Sequence, residues 1–289
     1  MAAGCAECGK GGIGLMMCNS CKHINYCSVT CQKQHWPKHK KECKQRAARL
    51  RDESLFKQPP PKDGCPICFL PMPFAYDGMA SFYPCCGKIV CNGCHYSNHI
   101  SGNRKCPFCN SNVNSDNEIE QVKKRVEAND VIALTELGCF YANGSHGLRK
   151  DWDVAFELWT RAAELGSSRA RYAIGATYLR ERMEKIDRKN AKHHFELAAM
   201  AGHEMARYSL GFNEYNSGNV ERSIKHWMIS ASAGHNDSMT VIKREFERGL
   251  VQSDAYELTL KTHDDSLAEM RSQARDDAAH TLHNMVLRG

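Results

Sequence analysis

Several familiar features are missing from this 289-residue chain. No apolar run approaches the roughly 20 residues that a membrane-spanning helix requires. The opening stretch MAAGCAECGK lacks the apolar core of a secretory signal. These absences set the expectation of a soluble protein of the cytoplasm or nucleus with no membrane partner. There is no glycine-rich phosphate loop and no dinucleotide fingerprint, so nucleotide-dependent catalysis has no anchor. Cysteine is nearly absent from the back of the chain: of sixteen, fifteen precede residue 110 and only Cys139 follows. Inside the first repeat helix Cys139 reads as a small core residue, not a nucleophile.

Most of the front cysteines come in Cys-x-x-Cys pairs. In a reducing compartment that spacing reads as metal ligation and not as disulfides. The first set comprises Cys5 and Cys8, Cys18 and Cys21, Cys27 and Cys31, then His39 and Cys43. A Cys-x-x-Cys pair turns tightly enough to offer two thiolates to one ion. A helical pair four residues apart points its side chains the same way. Eight donors make two tetrahedral zinc sites. His23 and His35 are left over and are expected to face solvent.

The phrase YCSVTCQKQHWPKHKKEC, with Tyr26, Gln32 and Trp36, resembles the MYND finger. That resemblance implies interleaved sites: Cys5, Cys8, Cys27 and Cys31 on one zinc, and Cys18, Cys21, His39 and Cys43 on the other. It also implies a protein-interaction module, often for short proline-rich peptides.

The second set comprises Cys65 and Cys68, Cys91 and Cys94, and Cys106 and Cys109, with the adjacent Cys85 and Cys86 between them. CPIC at its start and CPFC at its end resemble the edges of a RING. Cross-bracing, as in that family, implies Cys65, Cys68, Cys91 and Cys94 on one zinc. Most RINGs carry a histidine where this chain has Lys88. Two solutions complete the other site with Cys106 and Cys109. Both Cys85 and Cys86 bind, as in an all-cysteine variant, or one of them binds together with His95 or His99. The first is preferred: thiolates suit a closed structural site, and Gly87 permits the bend that two neighbouring ligands need. RING ligases dock a ubiquitin-conjugating enzyme through an apolar residue in the first pair and a proline in the last, here matched by Ile67 and Pro107. They also use a cation just after the final cysteine, where this chain has the neutral Asn110.

The formal charge of +6 invites a nucleic-acid partner. Zinc changes the balance. A four-thiolate site carries about −2 and a three-thiolate, one-histidine site about −1, so four such sites offset the whole excess. Nucleic acid is therefore set aside as a partner.

From about residue 118 the pattern is helical, and it repeats. Trp159, Phe195 and Trp227 each stand four residues before an alanine and seven before a glycine (Gly166, Gly202, Gly234). Upstream lie ALTELGCFY, ARYAIGATY and ARYSLGFNEY, with Gly138, Gly175 and Gly211. The steps between those glycines are 37 and 36 residues. Each unit is a helix pair that buries one face against its neighbour. The pattern resembles the Sel-1-like repeats, relatives of the tetratricopeptide repeat.

The expected architecture is a pair of small zinc-stabilised α+β fingers, MYND and cross-braced RING-like, followed by an all-α helical-repeat solenoid. Its segments are 1–44 (MYND finger), 45–62 (basic, proline-rich linker), 63–113 (RING-like finger), 114–129 (linker), 130–240 (repeats) and 241–289 (capping helices). The combination resembles a family of such proteins expanded in some unicellular algae. The expected function is a zinc-binding adaptor for other proteins or short peptides, holding four structural Zn²⁺. The alternative is a RING-type ubiquitin ligase that works with a conjugating enzyme.

Overall fold

The structure, a computed structural model, describes residues 4–12, 14–73, 80–103, 105–112, 117–180 and 186–286. The chain divides into two compact units, Met1–Lys57 and Gln58–Gly289.

The first unit has a two-stranded antiparallel ribbon, β1 (Met16–Met17) and β2 (Asn25–Tyr26), with Met16 opposite Tyr26. A long helix follows, α1 (Val29–Leu55), so the basic run beyond Lys44 continues the finger's own helix. Ser28 starts it: its backbone is extended and its hydroxyl accepts the Cys31 N–H at 3.2 Å. One turn of α1 separates His39 from Cys43, and both are buried. The core here is largely sulfur, with Cys5, Cys18, Cys21 and Cys43 packed around Tyr26.

The second unit opens with a hairpin, β3 (Ala80–Tyr83) and β4 (Lys88–Cys91), antiparallel with Tyr83 opposite Lys88. A short helix, α2 (Asn92–Ile100), completes this finger. Within 114–129 lies α3 (Glu118–Glu127), whose Val122 and Val126 face the core of the first repeat. Then come three helix pairs: α4 (Val131–Asn143) with α5 (Trp152–Glu164), α6 (Ser168–Tyr178) with α7 (Arg188–Met200), and α8 (Glu204–Asn216) with α9 (Val220–Ser232). Two more helices, α10 (Asn236–Glu247) and α11 (Ser253–Met270), extend the stack, while α12 (Gln273–Val286) packs on α2 of the finger. Among the described residues no helix is long and apolar enough to cross a membrane.

One close approach explains the repeated phrases. A methyl group added at Gly138, Gly175 or Gly211 would lie 2.5, 2.8 and 2.1 Å from Trp159, Phe195 and Trp227 respectively. Each aromatic is buried against the helix backbone of its own pair. The two indoles also donate to a carbonyl three residues before that glycine, Trp159 to Thr135 and Trp227 to Tyr208, each at 3.3 Å. The second helix of each pair ends at Gly166, Gly202 or Gly234, with φ between +91° and +102°.

The residue after each of these glycines caps the next helix. Ser167 does so with its hydroxyl, and His203 and His235 with Nδ1, which accepts the backbone N–H of Ala206 and Ser238. Only a neutral imidazole can accept. Burial, helped by the Arg169 charge, pushes His203 down to about 3. Burial also lowers His235.

Two outcomes follow from this packing. Gly211→Ala should cost about 1–3 kcal/mol in denaturant unfolding, although alanine is the better helix former. Unchanged stability would show that Trp227 moves aside freely. In the unfolded chain these histidines return to about 6.5. Their contribution is therefore complete above that pH and falls away below it, for His203 down to about 3, because the unfolded state binds the extra protons. The melting temperature of the helical signal should fall from pH 6.5 to 4.5, and His203→Asn, a cap that does not titrate, should flatten that slope.

Candidate metal centres

Four of the Cys-x-x-Cys pairs fold into the same local turn. The N–H four residues after the first cysteine bonds back to that cysteine's carbonyl: Gly9 to Cys5 (2.8 Å), Lys22 to Cys18 (2.9 Å), Phe69 to Cys65 (2.8 Å) and Asn110 to Cys106 (3.0 Å). Each donor residue is left-handed, with φ of 71°, 49°, 60° and 58°. Glycine and asparagine tolerate that conformation; phenylalanine adopts it at a cost. Phe69 also remains 82% exposed.

These turns aim pairs of sulfurs at common points. The structure gathers the sixteen candidate donors into four groups: Cys5, Cys8, Cys27 and Cys31; Cys18, Cys21, His39 and Cys43; Cys65, Cys68, Cys91 and Cys94; and Cys85, Cys86, Cys106 and Cys109. Within each group the donor atoms lie within 4.8 Å of one another. Sulfur–sulfur separations are 3.6 Å for Cys8–Cys27 and Cys27–Cys31, 3.7 Å for Cys18–Cys43, 3.8 Å for Cys68–Cys91 and 3.5 Å for Cys86–Cys106. A tetrahedron with Zn–S bonds of about 2.3 Å has an edge of about 3.8 Å, whereas a disulfide needs about 2.05 Å. The Cys21 Sγ to His39 Nε2 distance of 3.4 Å fits the shorter Zn–N bond. The residues present thus suit four structural zinc ions.

Cys85 and Cys86 reach the same point because the backbone between Tyr83 and Gly87 is bent. The N–H groups of Cys86 and Gly87 both bond the Tyr83 carbonyl, at 3.2 and 2.8 Å, and Gly87 has φ +71°. From α3, Arg125 donates to the carbonyls of Pro84 (2.5 Å) and Cys85 (3.0 Å). The peptide joining the two cysteines is therefore held at both its oxygen and its N–H. A side chain at Gly87 would collide with Arg125 and Asp130 at 2.6 Å. His95 and His99 are outside the group: His95 Nδ1 meets the Tyr83 hydroxyl at 2.9 Å, and His99 is exposed. His35 makes the matching contact in the first finger, 3.0 Å from the Tyr26 hydroxyl and half-buried. It lies outside the metal groups, as expected, but braces the finger and is only partly open to solvent; His23 is exposed.

Ionisation differs within each group. Backbone N–H groups of Cys8 and Cys27 bring Cys5 down to about 6. Against the opposing effect of burial, the backbone of Cys21 and the ring of His39 bring Cys18 to about 6, and the backbones of Cys68 and Cys91 bring Cys65 to about 7. The Ser111 hydroxyl and N–H bring Cys109 to about 6. Their companions go the other way. Hydrogen bonding to Cys31 and Cys8 pushes Cys27 up to about 12, while burial and Cys18 push Cys43 up to about 12. Burial also raises Cys85, Cys86, Cys91 and Cys94. Metal binding must therefore release protons from each group.

Ile67 and Pro107, the candidate conjugating-enzyme contacts, are both exposed, each inside one of the knuckle turns. Cys139 is half-buried against the core of the first repeat.

The two fingers and the helical stack define a zinc-binding protein with a TPR-like repeat array. Comparison with known proteins makes this more specific. Residues 5–43 match the MYND finger family, and residues 131–167 and 168–203 match the Sel1 repeat. Over 40 residues the chain is 50% identical to human histone-lysine N-methyltransferase SMYD3, covering 14% of this chain and 9% of that protein. It is 48% identical over 40 residues to the SET domain and MYND-type zinc finger protein 6 of Schizosaccharomyces pombe, covering 14% and 8%. The similarity thus spans under a tenth of these relatives. Among solved structures, a Sel1 repeat protein from Oxalobacter formigenes superposes with a TM-score of 0.48 at 23% identity, over 62% of this chain and 71% of that one. The chain carries a MYND finger and Sel1 repeats.

Four zinc ions per chain are expected from metal analysis of the purified protein. Cys85→Ser and Cys86→Ser should each reduce the count to three, while His95→Ala and His99→Ala should leave it at four. Zinc loss in either histidine variant would place the fourth donor elsewhere.

Proposed function

We propose that this chain is an adaptor that brings other proteins together, with its zinc serving structure alone. The observation that carries this reading is the donor count. Each group supplies four protein ligands, so a four-coordinate zinc there has no position left for a reacting water. The surfaces support docking. On the first finger Met16, Met17, Val29 and Trp36 are 40–54% exposed. Trp36 also lines a shallow groove with Ser20, Lys44, Ala47, Ala48 and Arg51. Such a groove suits a short apolar peptide, and an aromatic anchor carries a large share of such binding. The cytoplasm or nucleus, where thiols stay reduced, suits the metal chemistry.

The exposed Ile67, Pro107 and Phe108 favour a second reading, docking of a ubiquitin-conjugating enzyme on the second finger. Activation is less well provided for. Asn110 is neutral, and its φ of 58° suits asparagine far better than arginine. Asn110→Arg would add a charged hydrogen bond of about 1.5–3 kcal/mol, but against a left-handed backbone cost of about 1–2 kcal/mol. Its gain in ligase activity should therefore be small.

Two measurements separate the readings. Cross-linking capture with the full chain should lose a subset of partners at least ten-fold in Trp36→Ala. Ubiquitination assays across several conjugating enzymes should give little product. Robust product that Ile67→Ala abolishes would install the ligase instead.

A further inference from the structure

The metal groups of the two fingers differ in what surrounds them. In the first finger, Arg46 of α1 donates to the carbonyl of Cys21 at 3.1 Å. That arginine belongs to the finger's own long helix. Among its described residues the second finger has one helix, α2, nine residues long and without an arginine. Its groups are met instead by guanidinium groups from the helical array.

Arg275, near the start of α12, reaches the first of them. It donates to Cys68 Sγ at 3.5 Å, to the carbonyls of Leu70 (3.4 Å) and Pro71 (2.8 Å), and to the Met270 carbonyl that ends α11 (2.6 Å). One side chain thus bonds a zinc-ligand sulfur, the loop behind it and the turn that launches α12. Arg125 of α3 does the equivalent at the second group through Pro84 and Cys85, with its third contact to Asp130 at 3.0 Å. The backbones are fitted to this arrangement. A Cβ at Gly93 in α2 would lie 2.7 Å from the Arg275 nitrogen, and Tyr96 meets Thr281 at 3.3 Å. Lys62, just before Cys65, bonds the Ala233 carbonyl at 3.0 Å and Glu204 at 3.1 Å.

We infer that Arg125 and Arg275 are positioning residues for the two zinc sites of the second finger, so that this finger retains its metal only as part of the helical array. This rests on the sixteen-donor reading given above. A four-thiolate zinc carries about −2. A hydrogen bond from a cation to a ligand sulfur, or to the carbonyl beside it, withdraws that charge and fixes the sulfur's direction. Outer contacts of this kind typically change metal affinity 10–100-fold.

The test measures zinc transfer from the full-length protein to a chromophoric chelator in excess, with far-UV circular dichroism on the same samples. Wild type should release four zincs; fewer would overturn the donor reading and this inference with it, whereas four zincs released at unchanged rates from the variants would overturn this inference alone. Arg275→Ala and Arg125→Ala should each speed release of one zinc about ten-fold or more, and the double variant should speed two. The two zincs of the first finger serve as the internal reference and should not change. Arg275→Lys, which keeps the charge but cannot fork between four acceptors, should fall between wild type and Arg275→Ala. Release at the wild-type rate from both alanine variants would overturn the inference. So would acceleration of all four zincs together, which reports general loosening.

Discussion

Sulfurs gathered within 4.8 Å of one another cannot all ionise unless a cation sits among them, and the two fingers are built around that condition. The fingers have few apolar residues to bury, and their strands are two to four residues long. What fixes them is donor geometry. Each knuckle turn spends a left-handed residue to aim two thiolates, and hydrogen bonds from nearby backbone and side chains lower one thiol in each group, Cys5, Cys18, Cys65 and Cys109. The helical array follows the opposite logic. Its pairs close around an aromatic ring pressed on a glycine, and among its described residues no group of metal donors is found.

Much of this was legible in the residues because it is local. Cys-x-x-Cys spacing encodes a turn, and a turn needs no distant partner. The aromatic and glycine phrases repeat because one close approach repeats, and the third pair is joined by a three-residue link around Gly218 between α8 and α9. Cys85 and Cys86 were open to two solutions in the sequence, since neighbouring side chains in a strand diverge. Only the bend at Gly87 and the clamp from Arg125 bring them together.

What the sequence concealed depends on contacts between remote segments. Arg125 lies 40 positions from Cys85, and Arg275 lies 207 from Cys68. Neither spacing has a periodicity that would betray it. Helix α3 begins near residue 118, where the helical pattern of the sequence begins, but the segment 114–129 reads as a linker because the role of its amphipathic face, Val122 and Val126, becomes visible only against the first repeat. The brace from His35 to Tyr26 was missed for a similar reason. A histidine between ligands looks spare until the hydroxyl that meets it is placed.

The contacts of the second finger with α3 and with α12 have a consequence for how such a chain can change over time. A solenoid with free ends can gain or lose a unit by duplication or deletion, since each unit touches only its neighbours. Here α3, which precedes the first pair, and α12, which follows α11, both contact the same small finger. A fourth pair inserted between them would carry α12 away from Gly93 and Cys68. A change in repeat number would therefore have to be matched by a change in how α12 meets the finger.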